Sequence, residues 1–134
     1  MFSKTSKPNS KIDSLIGAGT IIEGDVIFSG GLRIDGEVKG SVRATGDHPG
    51  TLVISEHARI DGEVNVAHLV VNGTINGPVR SDEFLELQPK ARVTGDVEYN
   101  TIEIHLGAIV QGRLVHCVDA NDAKSVELKL ASSH

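Results

Sequence analysis

One five-residue unit, apolar-x-Gly-x-apolar, returns along the whole middle of this chain and constrains its fold more than any other feature. It reads IEGDV (22–26), VKGSV (38–42), IDGEV (60–64), INGPV (75–79), VTGDV (93–97) and VQGRL (110–114). Two further copies, IDGEV (34–38) and VNGTI (71–75), interleave. The glycines of the six main copies stand at 24, 40, 62, 77, 95 and 112, with spacings of 16, 22, 15, 18 and 17 residues. A period of about 17–18 residues marks a chain built by stacking one small unit.

A second signal runs in phase with the first. Ahead of five of the glycines lie alternating apolar pairs: Leu32/Ile34, Leu52/Ile54, Leu69/Val71, Leu85/Leu87 and Ile102/Ile104. After them the alternation resumes at Val26/Phe28, Val42/Ala44, Val64/Val66 and Val97/Tyr99. Period-2 alternation places both members of a pair on one face of a strand. Each repeat is therefore two or three short strands with inward Val, Ile or Leu, and glycine or a polar residue faces outward or turns the corner. Strands this short bury nothing alone, whereas stacked coils pile like side chains into ladders. The expected coils are 14–30, 31–50, 51–67, 68–82, 83–100 and 101–116, about 29 Å of rod at 4.8 Å per coil. Uneven spacing follows from corner insertions, the longest being ATGDHPG (44–50). An antiparallel sandwich also uses short strands but gives no reason for the motif to return in phase. No helical period appears in 14–116.

The flanks lack the motif. Residues 1–13 carry Lys4, Lys7 and Lys11 with one acid, Asp13, and read as a disordered basic arm. Residues 117–134 read as a mostly flexible tail, in which Val126, Leu128 and Leu130 alternate as one stray strand. The domain expectation is thus arm 1–13, β-helical core 14–116 and tail 117–134.

Composition removes several function classes. Eighteen acids against thirteen Lys and Arg give a net charge of −5, and aromatics make up only 3%, so neither the field nor the stacking platforms of a nucleic-acid binder are present. The single cysteine, Cys117, allows no internal disulfide and suits a reducing compartment. No apolar run reaches the length of a membrane-spanning helix, and MFSKTSKPNSK has no secretory apolar core. A calcium ladder at the glycine corners would need oxygen ligands in adjacent coils, and Lys39, Pro78 and Arg113 interrupt both flanking columns. His116 and Cys117 are neighbours that point to opposite faces of a strand, and no zinc motif is present. The sequence offers no nucleophile elbow, phosphate loop or dinucleotide fingerprint. Non-enzymatic chemistry without cofactor, metal or nucleotide is the expectation. The enzymatic alternative is a trimeric, hexapeptide-repeat-like acyltransferase using His57, His68 or His105 as base, although the six-residue period does not hold.

A rod of coils has two ends, each exposing unpaired backbone and a section of the core. The first coil offers Leu15, Ile16, Ile21, Ile22 and Val26, and the last offers Ile102, Ile104, Val110 and Leu114; of these Leu15, Ile16, Ile22, Ile102, Ile104 and Leu114 are the expected polymer contacts. Folding back of the tails as caps is the alternative. At the other extreme of the chain, Met1 and Phe2 form a small apolar tip ahead of basic residues, a weak lipid anchor that repetition along a polymer would strengthen.

The repeated I-x-G-x-V units, LRIDGEVKGSV (32–42), ARIDGEV (58–64) and the opening GAGTIIEGDV (17–26) together resemble the bactofilins, over about 15–116. That resemblance implies a right-handed, three-sided parallel β-helix that polymerises through its ends without nucleotide. It implies a bacterial cytoskeletal scaffold on the cytoplasmic face of the inner membrane, with cell-wall synthesis or remodelling enzymes as partners. MFSK resembles the membrane-targeting peptide of some members, which assigns that role to Met1, Phe2, Ser3 and Lys4, with Lys7 in support.

Overall fold

The computed structural model describes residues 12–46 and 50–117. Fifteen strands and no helix occupy them, and every strand pairing is parallel. The registers resolve into three sides with six strand segments each. Side one holds β1 (Ser14–Ile16), β4 (Gly31–Ile34), β7 (Thr51–Ile54) and the later parts of β9 (Val64–Val71), β11 (Val79–Leu87) and β13 (Val97–Ile104). Side two holds β2 (Ile21–Glu23), β5 (Glu37–Lys39), β8 (Arg59–Asp61), β10 (Thr74–Asn76), β12 (Arg92–Thr94) and β14 (Ile109–Gln111). Side three holds β3 (Val26–Phe28), β6 (Val42–Ala44), the early parts of β9, β11 and β13, and β15 (Leu114–His116). The result is a β-solenoid of six coils, as the periodicity requires.

The ladders follow the alternation read from the sequence. On side one Leu32, Leu52, Leu69, Leu85 and Ile102 stack in one inward column, and Ile16, Ile34, Ile54, Val71, Leu87 and Ile104 in the next. Side two contributes Ile22, Val38, Ile60, Ile75, Val93 and Val110, and side three Val26, Val42, Val64, Val79, Val97 and Leu114. In the four middle coils these side chains are almost fully buried. Each such Leu or Ile contributes roughly 1.5–3 kcal/mol by leaving water. In those middle coils one inward position is polar: Ser81 donates its hydroxyl to the Ala67 carbonyl at 2.9 Å or the Phe84 carbonyl at 2.8 Å, so the buried oxygen is satisfied.

The corner between sides two and three is the glycine motif. A Cβ built on Gly40, Gly62, Gly77, Gly95 or Gly112 would fall on the carbonyl of the glycine one coil earlier. The column therefore packs backbone directly on backbone, which only glycine allows. The corner between sides one and two explains why some repeats span 15 or 16 residues and others 17 or 18, while the 22-residue repeat carries its extra residues at 45–50, between sides three and one. Coils two and four turn through two residues, Asp35-Gly36 and Asn72-Gly73, while the others use four, as in Ser55–Ala58 and Gln88–Ala91. The short turns tuck beneath the long ones: a Cβ on Gly73 would strike the carbonyls of Ser55 and Ala58.

Candidate assembly surfaces at the two ends of the rod

Stacked coils satisfy each strand's backbone through the coil above and the coil below. Among the described residues, β1, β2 and β3 have a partner on one side only, and so do β14, β15 and the later part of β13. Each end thus presents a triangle of unpaired N–H and C=O groups around a section of apolar interior, a template for another strand.

The side chains mark the same places. Nine large hydrophobic residues are exposed among the described residues, and all nine belong to the first or last coil or the segments adjoining it: Ile12, Leu15, Ile21 and Ile27 at one end, Ile104, Leu106, Ile109, Leu114 and Val115 at the other. Two outward columns make the contrast plain. On side two the column reads Ile21, Glu37, Arg59, Thr74, Arg92, Ile109; on side three it reads Ile27, Arg43, Asn65, Arg80, Glu98, Val115. Both are polar along the rod and aliphatic at its two termini. Clustered exposed hydrophobics of this kind mark contact surfaces, where single scattered ones would not.

The six residues expected at the ends fall into two kinds. Ile16, Ile22 and Ile102 face inward, half-buried against the core; Ile104 and Leu114 continue inward columns but stay 47% and 45% exposed because no coil covers them. Leu15 pairs with the outward Arg33, so it stands on the outer surface of the first coil, 61% exposed. Ile21, offered with the first coil, is 57% exposed; Ile12, Ile27, Leu106, Ile109 and Val115 are exposed aliphatics that went unread in the sequence. For Ile27, Ile109 and Val115 the signal was present as adjacent apolar residues, Val26-Ile27, Ile109-Val110 and Leu114-Val115, of which a strand must place one outside; Ile12 and Leu106 have no apolar neighbour to give it. The proposed membrane-targeting residues Met1, Phe2, Ser3, Lys4 and Lys7 lie outside the described residues, as do 118–134 and the strand-like 126–130.

The polar residues around the glycines have structural work. Asp25 accepts the Ser41 N–H at 2.9 Å and Asp96 the Arg113 N–H at 3.0 Å, each carboxylate bonding to the next coil. That bond to the Arg113 backbone, with the guanidinium behind it, holds the Asp96 carboxyl below its ordinary range. The Asn76 amide, 2.9 Å away, does the same for Asp61, with Arg59 in support. Glu56 and Lys90 pair at 2.6 Å across the recess left by the short fourth turn. Burial, then Glu98, pushes the Cys117 thiol up, so the thiolate is disfavoured.

Of the histidines considered as a base, His68 contacts Glu83 at 2.8 Å and His105 lies between two stacked carboxylates, Glu86 at 3.0 Å and Glu103 at 2.9 Å. Glu86, Glu103 and His105 offer one ligand atom each within 4.8 Å of one another, a group the sequence reading did not single out. His57 is exposed and lines a recess of about 380 Å³ shared with Arg33, Asp35 and Ser55.

The fold and its two apolar ends define the class: a parallel β-solenoid rod with strand edges and core exposed at both termini. Comparison with known proteins then gives the family. The family model described as Bactofilin, polymer-forming cytoskeletal, matches residues 14–115. Bactofilin BacO of Myxococcus xanthus (strain DK1622) is 24% identical over 102 residues, covering 76% of this chain and 78% of that protein. No solved structure matches. The chain belongs to the bactofilin family of polymer-forming cytoskeletal proteins.

Proposed function

We propose that this protein assembles end to end through its terminal coils into filaments, needing neither nucleotide nor metal, and that the filaments serve as a scaffold on a bacterial inner membrane. The observation that carries the reading is that, among the described residues, every exposed large hydrophobic side chain lies at one of the two ends. End-on contact would pair the free strand edges, cover Ile104 and Leu114 as the middle coils cover their equivalents, and bring the outward aliphatics of one end against those of another. Nothing in such a contact calls for a bound cofactor. A filament that needs both ends is open-ended, so its length is set by concentration.

In this reading the arm, through Met1, Phe2, Ser3, Lys4 and Lys7, supplies a weak lipid contact that repetition along the filament makes firm. Cell-wall synthesis or remodelling enzymes are the cargo that the family resemblance suggests, and the protein itself is not an enzyme. Sedimentation of the purified protein tests assembly: material that pellets at high speed without nucleotide supports it. A discrete trimer that binds acetyl-CoA would favour the acyltransferase reading instead.

A further inference from the structure

We propose that side one of the rod is a lateral pairing face on which a second copy of this chain, carried in a neighbouring filament, lies antiparallel. In the four middle coils the outward strand residues of side two are Glu37, Lys39, Arg59, Asp61, Thr74, Asn76, Arg92 and Thr94, and those of side three are Arg43, Asn65, Arg80 and Glu98. All are polar. Side one alone carries outward apolar residues there: Val53, Val70 and Phe84. All three are only partly buried.

The occupant follows from how the outward columns of side one read in each direction. One column is Arg33, Val53, Val70, Glu86; the one beside it is Gly31, Thr51, His68, Phe84, of which Gly31 and Thr51 are buried and His68 and Phe84 partly exposed. A two-fold axis lying in the face, parallel to the strands and midway between coils three and four, swaps coil two with five and three with four. It sets Arg33 against Glu86 and Val53 against Val70. It also sets the bulky Phe84 against Gly31, which has no side chain to oppose it. The corner column continues the match: Asp35, which bonds Arg33 at 2.9 Å, faces the Gln88 amide, and Ser55 faces Asn72. Toward the rim, Leu15 faces Glu103 and Gly17 faces His105. The alternative axis, along the rod, would hold Arg33 level with Arg33 and Glu86 level with Glu86. Like charges then face at short range, so complementarity selects the antiparallel arrangement.

Four coils by four residues is roughly 19 Å by 13 Å, on the order of 250 Å² per partner. A stable pair needs about 800 Å² per partner, so isolated rods stay apart and pairing comes from repetition along filaments. The inference therefore rests on end-to-end assembly.

The test is the width of filaments of the full-length protein on negatively stained grids. Wild-type filaments are expected in pairs. Arg33→Glu and Glu86→Arg should each lower the paired fraction at least about fivefold while single filaments persist, and the combined charge swap should restore pairing. Val53→Lys should also leave single filaments. Wild-type filaments that run singly, single variants that pair normally, or a swap that restores nothing would overturn the proposal. So would Val53→Lys filaments that stay paired. Absence of all filaments would overturn the assembly reading and this one with it, an outcome distinct from filaments that fail to pair.

Discussion

A Cβ placed on Gly95 would lie 2.5 Å from the carbonyl oxygen of Gly77, one coil earlier. Gly95 also sits at φ +141°, where a side chain strains the backbone. Both amides are spoken for, Gly95 bonding Gln111 at 2.9 Å and Gly77 bonding Thr94 at 2.8 Å, so the corner cannot yield without breaking the stack. Gly95→Ala should therefore cost about 2–4 kcal/mol, combining overpacking with backbone strain. Chemical denaturation of this variant against the wild type checks the figure. A loss within about 0.5 kcal/mol would show that the column relaxes freely.

The ends allow fold and assembly to be separated. Ile104→Glu and Leu114→Glu place charge where the residue is already about half exposed, so the rod should remain folded with an unchanged circular dichroism spectrum. The same charge on Leu69, fully buried in coil four, should unfold the rod. End-charge variants are expected to stay in the supernatant at concentrations where the wild type pellets. Pelleting equal to the wild type would move the contact away from these residues.

Acid should weaken the rod in a defined direction. The carboxyls of Asp35 and Asp61 are held below their ordinary value of 3.8, by the Ser55 hydroxyl and the Asn76 amide first and by Arg33 and Arg59 next. A depressed carboxyl contributes stability that is full above the unfolded value, about 3.9, and is lost as pH falls through the folded one. The urea midpoint should thus hold steady above about pH 5 and drop toward pH 3. Asp61→Asn should narrow the gap between the midpoints at pH 6 and pH 3; an unchanged gap would assign the acid response elsewhere.

Deleting residues 2–7 isolates the arm. Filaments should form as before, while flotation with anionic vesicles falls to background. Because each arm binds feebly, full-length protein kept unassembled by Leu114→Glu should float poorly as well. Flotation that survives the deletion would place lipid contact on the rod.

The coils were legible because alternation at Leu52/Ile54, Leu69/Val71 and Leu85/Leu87 recurs in phase with glycine, and a buried ladder tolerates no slip of one residue. Parity settled which residues face inward but not what the outside means. Val53-Ile54 and Val70-Val71 look like Ile21-Ile22 in the sequence, yet the first two lie on a middle face and the third at an end. Leu15 read as an end contact by position, and its pairing with Arg33 turns it outward. The glycines read as corners; that each rests on the carbonyl of another about 17 residues away is a relation between coils, invisible within one. Ser81 breaks the apolar ladder at a bulge in β11, where its hydroxyl donates to the carbonyl of Ala67 or of Phe84.

The central claim, assembly through the ends of the rod, is tested most directly by negative-stain electron microscopy of purified protein after apyrase and chelator treatment. Wild-type protein should form long thin filaments, and Ile104→Glu should give single short particles of the same fold. Uniform small particles from the wild type, or long filaments from the variant, would contradict it.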